Sequence, residues 1–270
     1  MISAIRFSCA GAYQKNLAKF PCIFRLASTG LPAIKRRKLH ESLWYTIWHS
    51  LSFAVNLYIL LSSSWLKSFV IDFEFSLLYR DYALHVLDSD THLFYICSLA
   101  FWTSCMLFLG IETRRKDFVQ MVIHHILTVG LVAISLQYNC HRFGLVVLLL
   151  HDVVDILLYA AKSFIYVKMQ TVADILFGGF ALVFFISRIV LYPIYCVVPS
   201  YYGYYDSVVA KIHNSGQQME AILLAATPLM LTGLYGLQLF WWFMITKLIK
   251  QALSGAPVDK DSRSDEEKED

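Results

Sequence analysis

His124 and His125 stand side by side, and His151-Asp152-Val-Val-Asp155 follows them downstream, with Thr128, Ser135, Tyr159 and Lys162 between and beyond. An imidazole beside a carboxylate is equipment for moving protons and for activating or supplying a nucleophile. On a helix His151 and Asp155 are i, i+4 and Asp152 and Asp155 are i, i+3, so the three project from one side, which Tyr159 and Lys162 continue. Successive residues on a helix point about 100° apart, so one of His124 and His125 faces a site while the other supports it or packs. That divergence argues against a metal shared by the pair. A single zinc on one of the pair, His151 and a carboxylate is compatible with the spacing, but the repeated histidine boxes of membrane di-iron enzymes are missing. The expected site therefore uses its own side chains, with no metal and no cofactor.

The elements that must position these residues are apolar enough to lie in a bilayer. The chain has 270 residues, of which 57% are hydrophobic and only 16% charged, against roughly 25% charged in soluble domains. The fold class read from this is an all-α polytopic membrane protein of about six transmembrane helices, forming a bundle or barrel with a central cavity. Apolar spans run at about 44 to 62, 92 to 111, 118 to 137, 142 to 161, 172 to 198 and 220 to 247, each near the roughly 20 residues a crossing needs. The first is weakest, because it carries His49 and Asn56. The fifth could break near Pro193, so five or seven crossings are alternatives.

Lys and Arg mark cytosolic loops. With the N-terminus inside, the cytosolic segments hold eleven of them, including the run Lys35 to Lys38, Arg114 to Lys116, Lys162, Lys168, Lys247 and Lys250; the opposite side holds Lys67, Arg80, Arg142 and Lys211. Both termini are expected in the cytosol. Counting about 1.5 Å per residue from Phe118 puts His124 about 9 Å deep, and counting from Lys162 puts Asp155 about 10 Å and His151 and Asp152 about 15 Å deep. All five groups then share the cytosolic half, on helices made adjacent by the short connection from Gln137 to His141. A charge at such depth costs at least a few kcal/mol, so the cluster must face protein or a wet cavity. Hydrogen-bonded glue between helices is the structural alternative. His49, His85, His92, His141 and His213 read as ordinary polar residues at span edges or in loops, and Trp44, Trp65, Trp241 and Trp242 as an interface belt.

Residues 1 to 40 form a basic tail, whose composition also suits a mitochondrial presequence; a hydrophobic multispan body favours the endoplasmic reticulum. Residues 41 to 250 form the transmembrane domain, and 251 to 270 an acidic tail expected to be disordered and cytosolic. Ser262 and Ser264 lie between charges there, and Ser264-Asp-Glu-Glu looks like an acid-directed kinase site. Six scattered cysteines without C-x-x-C spacing give neither a disulfide framework nor a zinc knuckle. The modest net charge of +3, held in loops, implies no nucleic acid partner.

The assembled residues resemble the Lag motif of the ceramide synthase family, which lies in a TLC domain. The match runs from His124-His125 and Thr128 through Ser135, Arg142-x-Gly144, His151-Asp152-x-x-Asp155 and Leu158 to Lys162; Lys38-Leu-His-Glu41-Ser42-Leu-Trp44, Arg115-Lys116-Asp117-Phe118 and the acidic tail are similar to further family motifs. The chain differs from the usual pattern in Leu136 and Tyr159, and in having only a short basic tail where the family carries another span, so it reads as a short or divergent form. The resemblance implies sphingoid base N-acyltransferase activity: a fatty acyl group passes from acyl-CoA, a co-substrate, to sphinganine or sphingosine in the endoplasmic reticulum membrane. It also implies a homo- or heterodimer with family members. His124 would be the acylated residue or the base, with His125, His151, Asp152 and Asp155 supporting it; Thr128, Ser135, Tyr159 and Lys162 would hold substrate or structure. Acyl chain length would depend on the cavity floor and the connection from Pro199 to Glu220. A non-catalytic TLC-domain protein that binds lipid or regulates a synthase is the reading from another class.

Overall fold

A computed structural model describes residues 31–79, 85, 87–109, 117–203 and 218–253, with backbone alone at 33–34, 218–224 and 252–253. Ser262, Ser264, nearly all of the basic tail, Arg114 to Lys116 and most of the connection before Glu220 lie outside the described residues.

Helix α1 runs Ala33–Ser62, α2 is the short Leu66–Ile71, and a 3-10 turn follows at Phe75–Leu78. Next come α3 (Ser89–Phe108), α4 (Phe118–Gln137), α5 (His141–Tyr166) and α6 (Gln170–Phe184). The chain continues from α6 through π-helical turns at Phe185–Leu191 and Pro193–Val197 into α7 (Val198–Gly203), and α8 is Gln218–Leu253. Two tight reversals use a left-handed residue after a helix end: Asn139 (φ 55°) between α4 and α5, and Lys168 (φ 62°) between α5 and α6. Asparagine tolerates that conformation well, and it releases the last helical carbonyls to the turn.

Among the described residues, five helices are long and apolar enough to cross a membrane: Ser89–Phe108, Phe118–Gln137, His141–Tyr166, Gln170–Gly203 and Ala225–Gln251. α1 is not among them, although its 30 residues would span about 45 Å. Its polar residues His49, Ser52 and Asn56 recur at helical spacing and are buried. They are consumed by α5, along which α1 runs antiparallel. Tyr45 stacks on Tyr159, His49 bonds Asp152, and Asn56 Nδ2 donates to the Leu145 carbonyl at 2.9 Å. α1 thus shares the depth of α5, and its low apolar content reflects a stripe that lipid never sees.

The packing partners close a ring: α1 on α5, α5 on α6, the π-helical stretch on α8, α8 on α4, α4 on α3, and α3 on α1. α4 and α5, expected to be adjacent, do pack on each other, though less than on their other neighbours. They meet at their shared turn, where Ser135 Oγ donates to the Cys140 carbonyl at 2.8 Å. Beyond it α4 packs on α3 and α8, and it faces α5 across the barrel. Lipid tails are as apolar as leucine, so close packing and interhelical hydrogen bonds hold such a ring. Tyr95 Oη donates to the His141 carbonyl at 2.7 Å, Ser187 Oγ to that of Leu150 at 3.1 Å, and Tyr192 Oη to that of Leu231 at 3.1 Å.

The fifth apolar span does not break at Pro193. It widens into π-helical turns, a local register change common near functional sites. That register turns Arg188, Tyr192 and Cys196 inward together, all buried.

Candidate active site

A cavity of about 200 Å³ opens among Leu109, Phe118, Ile165, Ala173 and Leu248, at the ends of five helices, and reaches inward to His124, His125, Asp155 and Arg188. A second cavity of about 90 Å³ runs from His124, Trp102 and His151 toward Tyr79, Ser200 and Gly203. Among the described residues, only His124 and Trp102 border both. The inner compartment is walled mainly by Leu131, Val132, Leu148, Leu231 and Leu234.

His124 occupies this junction and His125 lines the outer cavity beside it, and neither is tied down. Neither ring makes a hydrogen bond among the described residues, and Nδ1 of each is buried and unpartnered. Trp102 holds both by edge and tilted contacts (centroids 6.0 and 5.8 Å), and Trp241 stands edge-on to His124 at 5.4 Å. Trp241 is therefore a site residue instead of a belt residue; its Nε1 donates to Asp117 Oδ2 at 3.2 Å. Unengaged imidazole nitrogens at the meeting point of two cavities are available to a substrate, the first requirement for a nucleophile or base.

His151 is in the opposite condition. Nδ1 lies 2.7 Å from the Val147 carbonyl, which can only accept, so Nδ1 carries the proton. Nε2 is then a lone pair, and it accepts from Gln238 Nε2 at 2.9 Å. Both nitrogens are spent, and His151 serves as a fixed wall whose ring lies 6.4 Å from that of His124. The expected role in taking up protons does not suit this geometry.

The two carboxylates part company as well, against the expectation that His151, Asp152 and Asp155 share one side. Asp152 turns to α1, where His49 Nδ1 donates to Oδ1 at 2.7 Å and Ser52 Oγ to Oδ2 at 2.6 Å. It is 1% exposed and does not line the cavity. Asp155 turns to the π-helical stretch, where Arg188 Nη2 donates to Oδ2 at 2.9 Å and to the His151 carbonyl at 3.0 Å. Asp155 borders the outer cavity, so Arg188 presents a paired and partly open carboxylate to it.

Tyr159 stacks on Tyr45 (4.7 Å) and parallel to His49 (5.8 Å, 2°), and Lys162 Nζ lies 5.5 Å from the Tyr159 ring; both line the outer cavity. Thr128 borders the inner cavity, its hydroxyl donating to the His124 carbonyl at 2.8 Å. Ser135 is support: its Oγ donates to the Cys140 carbonyl and lies 2.9 Å from Tyr95 Oη. Arg142 donates to the Leu77 carbonyl at 2.6 Å, far from the histidines.

Five participants were not expected from the sequence: His49, Arg188, Gln238, Trp102 and Trp241. His49 is 2% exposed and central, a correction to its reading as a span-edge residue. The signal for it was on the page, since His49, Ser52 and Asn56 form one helical stripe in an otherwise lipid-compatible segment. Arg188, an unbalanced cation inside a span, carried the same signal.

Residues 38–247 match the TLC domain family. The chain is 32% identical to ceramide synthase 4 of Mus musculus over 234 residues and 31% identical to ceramide synthase 5 of Homo sapiens over 252, covering 87% and 93% of this chain. It is 38% identical to the Alternaria stem canker resistance protein 1 of Solanum lycopersicum over 161 residues, 59% of this chain. The chain spans only about half to three fifths of these curated relatives, with 56%, 60% and 51% of their lengths aligned. With the match running from the first described helix to the last, this chain belongs to the TLC-domain family, and within it the resemblance is to the ceramide synthases.

Proposed function

We propose that the chain is a sphingoid base N-acyltransferase, passing a fatty acyl group from acyl-CoA to sphinganine or sphingosine in the endoplasmic reticulum membrane. The observation that carries this reading is the placement of His124, its ring unbonded, between an open outer cavity lined by charged groups and an inner apolar one. A thioester halted at that junction has its hydrocarbon chain in the inner compartment and its polar carrier in the outer one. The outer cavity opens on the side that the basic residues assign to the cytosol, where acyl-CoA resides.

In this mechanism His124 attacks the thioester carbonyl. The carbon to sulfur bond breaks, and the departing thiolate takes the His124 proton, leaving a neutral acyl-imidazole. The amine then forms the amide bond as the carbon to imidazole bond breaks, and one amine proton restores the ring. His125 packs behind His124, His151 walls the junction, and Asp155 with Arg188 lines the approach. Lys162 and Tyr159 sit toward the mouth, where they contact the polar parts of the substrates.

The test is direct. The purified chain in lipid nanodiscs is given acyl-CoA and sphinganine, and N-acylated product is measured by mass spectrometry. Wild type should form product and folded His124→Ala should lose at least about a thousandfold of the rate. A folded wild type without product sinks the reading.

A further inference from the structure

His49 lines the same cavity as His124 and His125, and its ring, like theirs, packs against Trp102 (centroids 6.0 Å). It differs from them in having a carboxylate behind it. Asp152 can only accept, so His49 Nδ1 carries the proton and Nε2 is a lone pair; no described residue bonds that Nε2. A buried carboxylate behind an imidazole orients the ring and stabilises its protonated form. Tyr159 and Tyr45 lie roughly parallel to the His49 ring at 5.8 and 6.4 Å, and their faces favour a cation beside them. Of the other groups, His151 is committed through both nitrogens, Asp155 to Arg188 and Asp152 to α1, while His125 is unbonded and has no carboxylate behind it.

We propose that His49, backed by Asp152, is the base that deprotonates the acceptor amine. This rests on the acyl-transfer reading above and assigns its missing step. A sphingoid amine is an alkylammonium near neutrality, as lysine is, and cannot attack in that form. His49 Nε2 takes one ammonium proton, and the freed amine attacks the acyl carbon. The second proton travels to His124 as its imidazole leaves, and His49 passes its own proton to water through the open mouth of the cavity. The account assigns both protons released by the ammonium, with no outside reagent.

His49→Asn separates base from brace. The asparagine Nδ2 falls where Nδ1 was and keeps the bond to Asp152, but no basic nitrogen remains. Amide formation with sphinganine should fall about a hundredfold, within the range for loss of a general base. Hydroxylamine reaches the site already neutral, so hydroxamate formation should stay within about threefold of wild type. His49→Ala should regain sphinganine activity with added imidazole. An active wild type with an equally active His49→Asn, an equal loss with both acceptors, or a folded His49→Ala that imidazole does not rescue overturns the assignment while the acyl-transfer reading stands. A wild type inactive toward both acceptors takes both down.

Discussion

Removing the Asp152 carboxylate should unseat α1. In the native fold it receives two short hydrogen bonds from α1, from His49 Nδ1 at 2.7 Å and Ser52 Oγ at 2.6 Å, in a site closed to water. Asp152→Ala deletes both and leaves two donors without acceptors. Breaking a buried charged pair by removing one partner costs about 3–5 kcal/mol in soluble proteins; interhelical bonds inside membranes average nearer 0.6 kcal/mol each and reach about 1.7. Two bonds at the upper membrane value set the expected loss at about 3 kcal/mol. Asp152→Asn should cost less, about 1 kcal/mol, because its carbonyl still accepts from His49 and the serine hydroxyl can turn to accept from the amide. Thermal unfolding of purified protein, followed by loss of the monodisperse chromatographic peak, measures both. Melting of Asp152→Ala at the wild-type temperature would refute the idea that this carboxylate anchors α1.

Further expectations follow from the same geometry. An alanine Cβ at Gly144 would collide with Tyr95 Oη and come within 3.0 Å of Ser135 Oγ. Gly144→Ala should therefore lose about 3 kcal/mol from overpacking and broken bonds. Adding Tyr95→Phe removes the colliding oxygen, so the double variant should regain at least about 1 kcal/mol; a double variant weaker than Gly144→Ala would contradict this. Asp155→Asn leaves Arg188 an acceptor and should cost about 1–2 kcal/mol in stability, while product formation falls at least about tenfold. Wild-type turnover in that variant would remove Asp155 from the site.

Five of the six expected apolar spans were legible from hydropathy, and the chemistry-bearing residues because burying an ionisable group in a bilayer is costly enough to stand out in a single sequence. His124, His125 and Asp155 do border one cavity. What the sequence could not supply was direction. His151, Asp152 and Asp155 lie within one arc of α5, yet that arc spans the boundary between α1 and the π-helical stretch, so neighbours in sequence serve different partners. The short connection around Asn139 made α4 and α5 adjacent, but it says nothing of how the ring closes through α1, α3, α6 and α8. The π-helical register that swings Arg188 inward leaves no mark in residue type. His49 was readable but was discounted, because a polar stripe resembles a poor span when its partner helix is unknown.

The most direct test of the account is to incubate the purified chain with acyl-CoA alone, without amine, and map the acyl group by mass spectrometry of quenched peptides. The account expects one acyl group on His124, discharged on adding sphinganine and absent from His124→Ala. An acyl group on another residue, or product formation that survives His124→Ala unchanged, would contradict it.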